Sequence, residues 1–157
     1  MSIRPSRLRF GEWIAGAAAV ALVVFMFALR WYDSGHPSGG SSPASLDGWR
    51  GLTHLRWLVL VTILVTLALV WLQVTRRAPA LPVTFSLFVM LLGGVTALAV
   101  LYRVVFDPPA GMSVQAGAYL GLAAAVALTY GGYKSMRTEG IADDDAPAQI
   151  ETVKLAN

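Results

Sequence analysis

Residues 55–74 read LRWLVLVTILVTLALVWLQV. Beyond Arg56 the stretch holds no ionisable side chain, and only Thr62, Thr66 and Gln73 are polar. A helix rises about 1.5 Å per residue, so about 20 residues cross the roughly 30 Å hydrocarbon layer of a bilayer. An amphipathic helix of a soluble protein would carry a polar stripe at the helical period. This segment is apolar on every side, and it predicts a membrane span.

Three further runs repeat the pattern. WIAGAAAVALVVFMFALRWY covers 13–32, VTFSLFVMLLGGVTALAVLYRVVF covers 83–106, and VQAGAYLGLAAAVALTYGGY lies within 113–134. The first run follows Arg4, Arg7 and Arg9, but it exceeds the 7–15 apolar residues typical of a signal peptide core. It is therefore expected to remain as a span. Pro79 and Pro82 break the chain between the second and third runs, and Pro is tolerated in a first helical turn. Ser113 is placed as the N-cap of the fourth helix. The expected fold class is all-α: a four-helix transmembrane bundle. Segment 1–12 is a basic terminus, 33–54 a loop, 75–82 and 107–112 short turns, and 135–157 an acidic, disordered tail.

Composition agrees. The 157-residue chain is 56% hydrophobic and 13% charged, against about 25% charged residues in soluble domains. It has no cysteine, which excludes disulfides, thiolate metal sites and cysteine nucleophiles. Its basic residues form no continuous stripe, so nucleic acid is not an expected partner. Basic residues at helix ends set threading. Arg4, Arg7, Arg9, Arg76, Arg77, Lys134 and Arg137 fall on one side and the smaller set Arg30, Arg50, Arg56 and Arg103 on the other. Both termini are accordingly expected in the cytoplasm of a bacterium, with the protein multi-pass in the plasma membrane. Trp13, Trp71, Tyr130 and Tyr133 would form the inner aromatic belt, and Trp31, Tyr32, Trp57 and Tyr102 the outer one.

The first outer loop changes character half-way. DSGHPSGGSSP has little to bury, whereas Leu46, Trp49, Leu52 and Leu55 then recur at three-residue steps. Segment 45–54 is read as a short interfacial amphipathic segment on the outer face, anchored by Trp49 and Leu52. Gly48 and Gly51 weaken it as a helix.

Ionisable residues near the spans are the default functional pointers. Glu12 is placed just ahead of the first helix, as a carboxylate at its positive dipole end. Arg30, Arg50, Arg56 and Arg103 are candidate contacts for lipid or anions on the outer face. Asp107 can pair with Arg103 unless Pro108 ends the helix first. His36 and His54 lack the spacing of a metal site. Gly117, Gly121 and Ala125 fall at four-residue steps and make a flat face for close helix packing, within the chain or against a partner.

No GxSxG, HExxH or phosphate-loop pattern is present, and no paired carboxylates lie at depth. The expectation is a non-enzymatic integral membrane protein without cofactor. It would pack with itself, with a partner membrane protein or with lipid. The alternative is a small transporter or channel subunit.

One resemblance is carried by RLRFGEWIAGAAAVAL, WRGLTHLRWLVLVTILVTLALV, RAPALPV, LYRVVFDPP and GAYLGLAAAVALTYGGYKSMRTEG. In these segments the chain resembles small, uncharacterised four-helix membrane proteins of actinobacteria. The resemblance implies a multi-pass membrane protein and carries over no catalytic residue.

Overall fold

The computed structural model describes residues 10–35, 45–75 and 83–140. In chain order the elements are α1 (Phe10–Ala28), β1 (Arg30–Asp33), β2 (Ser45–Asp47), α2 (Gly48–Gly51), α3 (Leu55–Thr75), α4 (Val83–Val105), β3 (Ser113–Val114) and α5 (Ala116–Gly140). The described chain is mostly helical. Among the described residues, three helical stretches are long and apolar enough to cross a membrane: Phe10–Ala28, Leu55–Thr75 and Ser86–Val105.

Helix α5 is richer in Gly, Ala and Tyr, a composition that favours close approach over hydropathy. It packs most intimately of all, running antiparallel to α1 and lying also along α4. A Cβ on Gly117 would meet the Arg30 carbonyl at 2.3 Å, and one on Gly131 would meet the Ala15 amide nitrogen at 2.6 Å. These contacts lie at opposite ends of α1, so α5 follows it throughout. Helix α3 meets α1 and α4 more sparsely.

The surface is inverted relative to a soluble protein. Val20, Val24 and Phe27 of α1, Val61 and Leu64 of α3, and Leu91, Val95 and Leu98 of α4 all point outward. Contiguous apolar patches of this extent are rare on soluble monomers. Inside, Thr62 and Thr96 join α3 to α4 through a 2.6 Å hydroxyl contact. Thr62 also donates to Leu58 O, and Thr66 to Thr62 O. Such bonds satisfy hydroxyls that would otherwise be costly in a dry interior.

One end of the bundle carries a cap absent from the sequence expectation. Strands β2, β1 and β3 form an antiparallel sheet in that order. Tyr32 pairs with Leu46 and Val114, and Asp33 with Ser45 and Ser113. The register shifts between Arg30 and Tyr32, a bulge that re-aims the side chains there. The first helix therefore stops at Ala28 rather than continuing to 32. Trp31 and Tyr32 are not belt residues; both are 0% exposed. Aromatic side chains suit a pleated, covered surface, and two are supplied here in sequence. By contrast Trp57 and Tyr102 at this end, and Trp13, Trp71, Tyr130 and Tyr133 at the far end, are exposed. Ser113 is not an N-cap but a strand residue, its hydroxyl donating to Asp33 O at 3.0 Å. Helix α5 starts three residues later, at Ala116.

Thr53 joins α2 to α3 with φ of 47°. A β-branched residue in this left-handed region is disfavoured, by about 1–2 kcal/mol for L residues. The greater unfolded-state freedom of glycine offsets part of any relief. Thr53→Gly is expected to raise stability by a net of about 0.5–1 kcal/mol, read as a higher unfolding midpoint in detergent.

Candidate functional site

The cap is built around one turn of helix. Asp47 is the N-cap of α2, and its carboxylate accepts from the Arg50 amide at 2.8 Å. The expected amphipathic segment over 45–54 is thus a strand, a single turn and a bend. Its apolar side faces protein. Leu52 is 1% exposed and belongs to the main core cluster, with Leu46 and Trp49 packed against it. Leu52 is therefore not a lipid anchor.

Glycine is required where the turn lies on the sheet. A Cβ on Gly48 would meet the Trp31 ring at 2.6 Å, and one on Gly51 the Tyr32 ring at 2.5 Å. Across the bundle, a Cβ on Gly121 would meet the six-membered ring of Trp31 at 2.3 Å. Trp31 is thus gripped between α2 and α5, and its indole Nε1 donates to Phe25 O at 2.7 Å. The face read from Gly117, Gly121 and Ala125 lies inside the chain. Gly117 meets Arg30, Gly121 meets Trp31, and Ala125 is buried in the core.

Arg30, Arg50, Arg56 and Arg103 separate into different environments. Arg103 is committed within the chain. Its Nε and Nη2 donate to Gly51 O at 3.3 and 3.4 Å, its Nη1 donates to Asp107 O at 2.6 Å, and Nη1 also pairs with the Asp107 carboxylate. The backbone continues to turn after α4, with Phe106 and Asp107 amides both donating to Tyr102 O, so Asp107 comes within reach before Pro108. Tyr32 donates its phenol to Arg103 O at 3.5 Å. Burial pushes that phenol above its ordinary 10.0; the Arg103 charge opposes the shift and the Asp107 charge adds to it. Arg30 and Arg50 are exposed.

Arg56 is different. Its guanidinium carbon lies 5.1 Å from the Trp49 ring centroid and 5.6 Å from that of Trp57. The two indoles meet edge to face at 5.5 Å, and Phe27 stacks on Trp49, also at 5.5 Å. Rings positioned this way attract the cation and hold it, but do not neutralise its charge. Its Nε is buried and has no hydrogen-bond acceptor among the described residues.

At the far end Glu12 is not ahead of α1 but inside its first turn, 2% exposed, and it accepts from Gln73 Nε2 at 2.6 Å. Ser86 of α4 and Ser135 of α5 face each other, 3.5 Å apart and both buried. Between α1 and α3 runs an apolar groove of about 480 Å³, walled by α1 from Trp13 to Ala21 and by Leu67 and Val70, with Glu12 at its end. His54 is exposed, and His36 lies outside the described residues. Among the described residues no group of three or more His, Asp or Glu side chains could hold a metal ion.

The groove and the Arg56 cluster were both missed by pattern reading. The signal for Arg56 was present as Trp49, Arg56 and Trp57, but they close on each other only through the α2–α3 bend. Compared with protein-family models, curated proteins and solved structures, the chain matches none. Any functional reading therefore rests on the geometry itself.

Proposed function

We propose that this chain is a non-enzymatic, four-span protein of a bacterial plasma membrane that acts through contacts with lipid or with other membrane chains. In this reading α5 is the fourth span, because it follows α1 from the Arg30 carbonyl to Gly11. The cap lies on the outer face and both termini in the cytoplasm, following the excess of Arg and Lys at the far end.

One observation carries the functional part. Among the described residues, the polar groups inside the bundle pair with one another: Thr62 with Thr96, Glu12 with Gln73, Ser86 with Ser135. Intramembrane chemistry needs convergent ionisable groups at depth. The groups left to meet something else lie outside: the apolar faces of α1, α3 and α4, and Arg56 at the cap.

The threading is tested by cysteine labelling, which the cysteine-free chain makes clean. With an impermeant maleimide, Ala110→Cys is expected to react in intact cells, and Arg137→Cys only after permeabilisation. Both positions are exposed. Labelling of Arg137→Cys in intact cells would overturn the orientation. Native mass spectrometry after mild extraction tests the rest. A bare monomer with neither lipid nor partner would count against action through contacts.

A further inference from the structure

The Arg56 cluster and the groove lie on the same pair of helices. On α1, Phe27, Val24, Val20, Ala17 and Trp13 follow one another at three- and four-residue steps, which places them on one face. Phe27 touches the Arg56 cluster through Trp49, while Val20, Ala17 and Trp13 wall the groove. On α3 the cluster begins at Trp57, and the groove is reached at Leu67 and Val70. An apolar face of α1 thus leads from Arg56, which has no acid partner among the described residues, to the groove.

We propose that one anionic phospholipid of the cap-side leaflet binds along the α1–α3 seam. Its phosphate sits on Arg56 between Trp49 and Trp57, and an acyl chain lies in the groove. The proposal rests on the reading that the spans lie in a bilayer with the cap at its surface, and deepens it by naming the ligand.

Three features select this occupant. The first is charge. Arg56 is held by two indoles and has no carboxylate partner among the described residues. The planar guanidinium matches phosphate oxygens, and a fork already oriented by stacking loses little freedom on binding. A lipid whose headgroup brings its own cation would neutralise its phosphate internally, so a net negative lipid is favoured. The second is length. Half a hydrocarbon layer is about 15 Å, and ten residues of helix rise about 15 Å, the run from Phe27 to Ala17. One acyl chain from the cap-side leaflet therefore reaches the near part of the groove, between Ala21 and Ala17. The third is lining. The groove wall is apolar down to Glu12, and the small side chains of Gly16, Ala17 and Ala21 leave its depth open. A free phosphate shares the chemistry at Arg56 but leaves the groove unfilled.

The test uses the full-length, delipidated protein in detergent, titrated with phosphatidylglycerol, phosphatidylcholine or inorganic phosphate and read by native mass spectrometry. One phosphatidylglycerol per chain is expected, bound about tenfold more tightly than phosphatidylcholine, the effect of one hydrogen-bonded charge. Arg56→Gln is expected to abolish that preference. Ala21→Phe fills the cleft and is expected to weaken both lipids while keeping the preference between them. Equal binding of the two lipids to wild type overturns the proposal, whatever the fate of the Arg56 variant. Displacement of phosphatidylglycerol by millimolar inorganic phosphate, with Ala21→Phe silent, overturns it in favour of a free-anion site. A lipid-free dimer overturns it in favour of a second copy. Because the titration is done in detergent, its failure leaves the cysteine-labelling result standing, and the converse also holds.

Discussion

Trp31→Ala is expected to cost about 3–5 kcal/mol, the range for emptying a buried aromatic site. The ring is 0% exposed and is approached closely by glycines of two helices, Gly48 of α2 and Gly121 of α5. Neither neighbour has a side chain that can swing in to fill the space. The substitution also strips the Phe25 carbonyl of its indole donor. That carbonyl lies in the last turn of α1, where intrahelical partners are missing. Trp31→Phe keeps most of the ring contact and loses the bond, so it should recover more than half of the loss. Trp31→Ala with Gly121→Leu should recover part of it as well, because the new side chain points where the ring was; the two sites touch and must not be additive. Denaturation in mixed micelles gives the free energies. Amide exchange at Leu46 and Val114 reports whether the cap opens before the bundle does. Equal stability of Trp31→Ala and wild type would show that the cap contributes nothing to the fold.

This residue also shows where the sequence stopped being readable. Hydropathy separates lipid-compatible segments from polar ones, and it located α3 and α4 to within a residue at their ends. It cannot separate a residue facing lipid from one facing protein, since both are apolar. Trp31 and Tyr32 therefore looked like a belt, and Leu52 like an anchor, though all three are buried. The strands carrying them are two to four residues long, too short for an alternating pattern to stand out. The arginines were visible as a class because charges near spans are scarce. Their fates were not, because each was decided across the fold: Arg103 by the Gly51 carbonyl, Arg56 by Trp49 beyond a bend. Glu12 is the same case, its partner Gln73 lying 61 residues away. The small-residue stripe was readable at Gly117, Gly121 and Ala125. Continued along the helix at three-residue steps, the other spacing that keeps to one face, it leads through Leu128 to the Gly131–Gly132 pair.

Those two glycines carry the other large effect. Adjacent helical residues point about 100° apart, so Gly131 and Gly132 open α5 in two directions at once. A Cβ on Gly131 would meet Ala15 N at 2.6 Å and Gly11 O at 2.8 Å, both backbone atoms of α1. A Cβ on Gly132 would meet Met90 N of α4 at 2.9 Å. The α1 contact is reciprocal, for a Cβ on Gly11 would meet Ser135 N at 2.6 Å. Backbone cannot yield as a rotamer can, so Gly131→Val must push α1 and α5 apart. In the proposed bilayer setting these helices are held by close packing, not by water exclusion, and a sub-ångström gap already forfeits much of the dispersion energy. A loss of about 3 kcal/mol is expected, at the upper end for overpacking. Gly94→Ala provides the contrast on α4. Its Cβ would meet only Thr129 Cγ2, at an ordinary 3.8 Å, and removing a mid-helix glycine should gain about 0.5–1 kcal/mol. Both variants are compared by unfolding in the same micelles. A Gly131→Val protein as stable as wild type would mean that the helices do not approach this closely. The displacement has a second consequence, at the proposed lipid site. Ala15 lies one residue from Gly16 in the groove wall, so spreading α1 from α5 must also reshape the α1–α3 seam and weaken phosphatidylglycerol binding without touching Arg56.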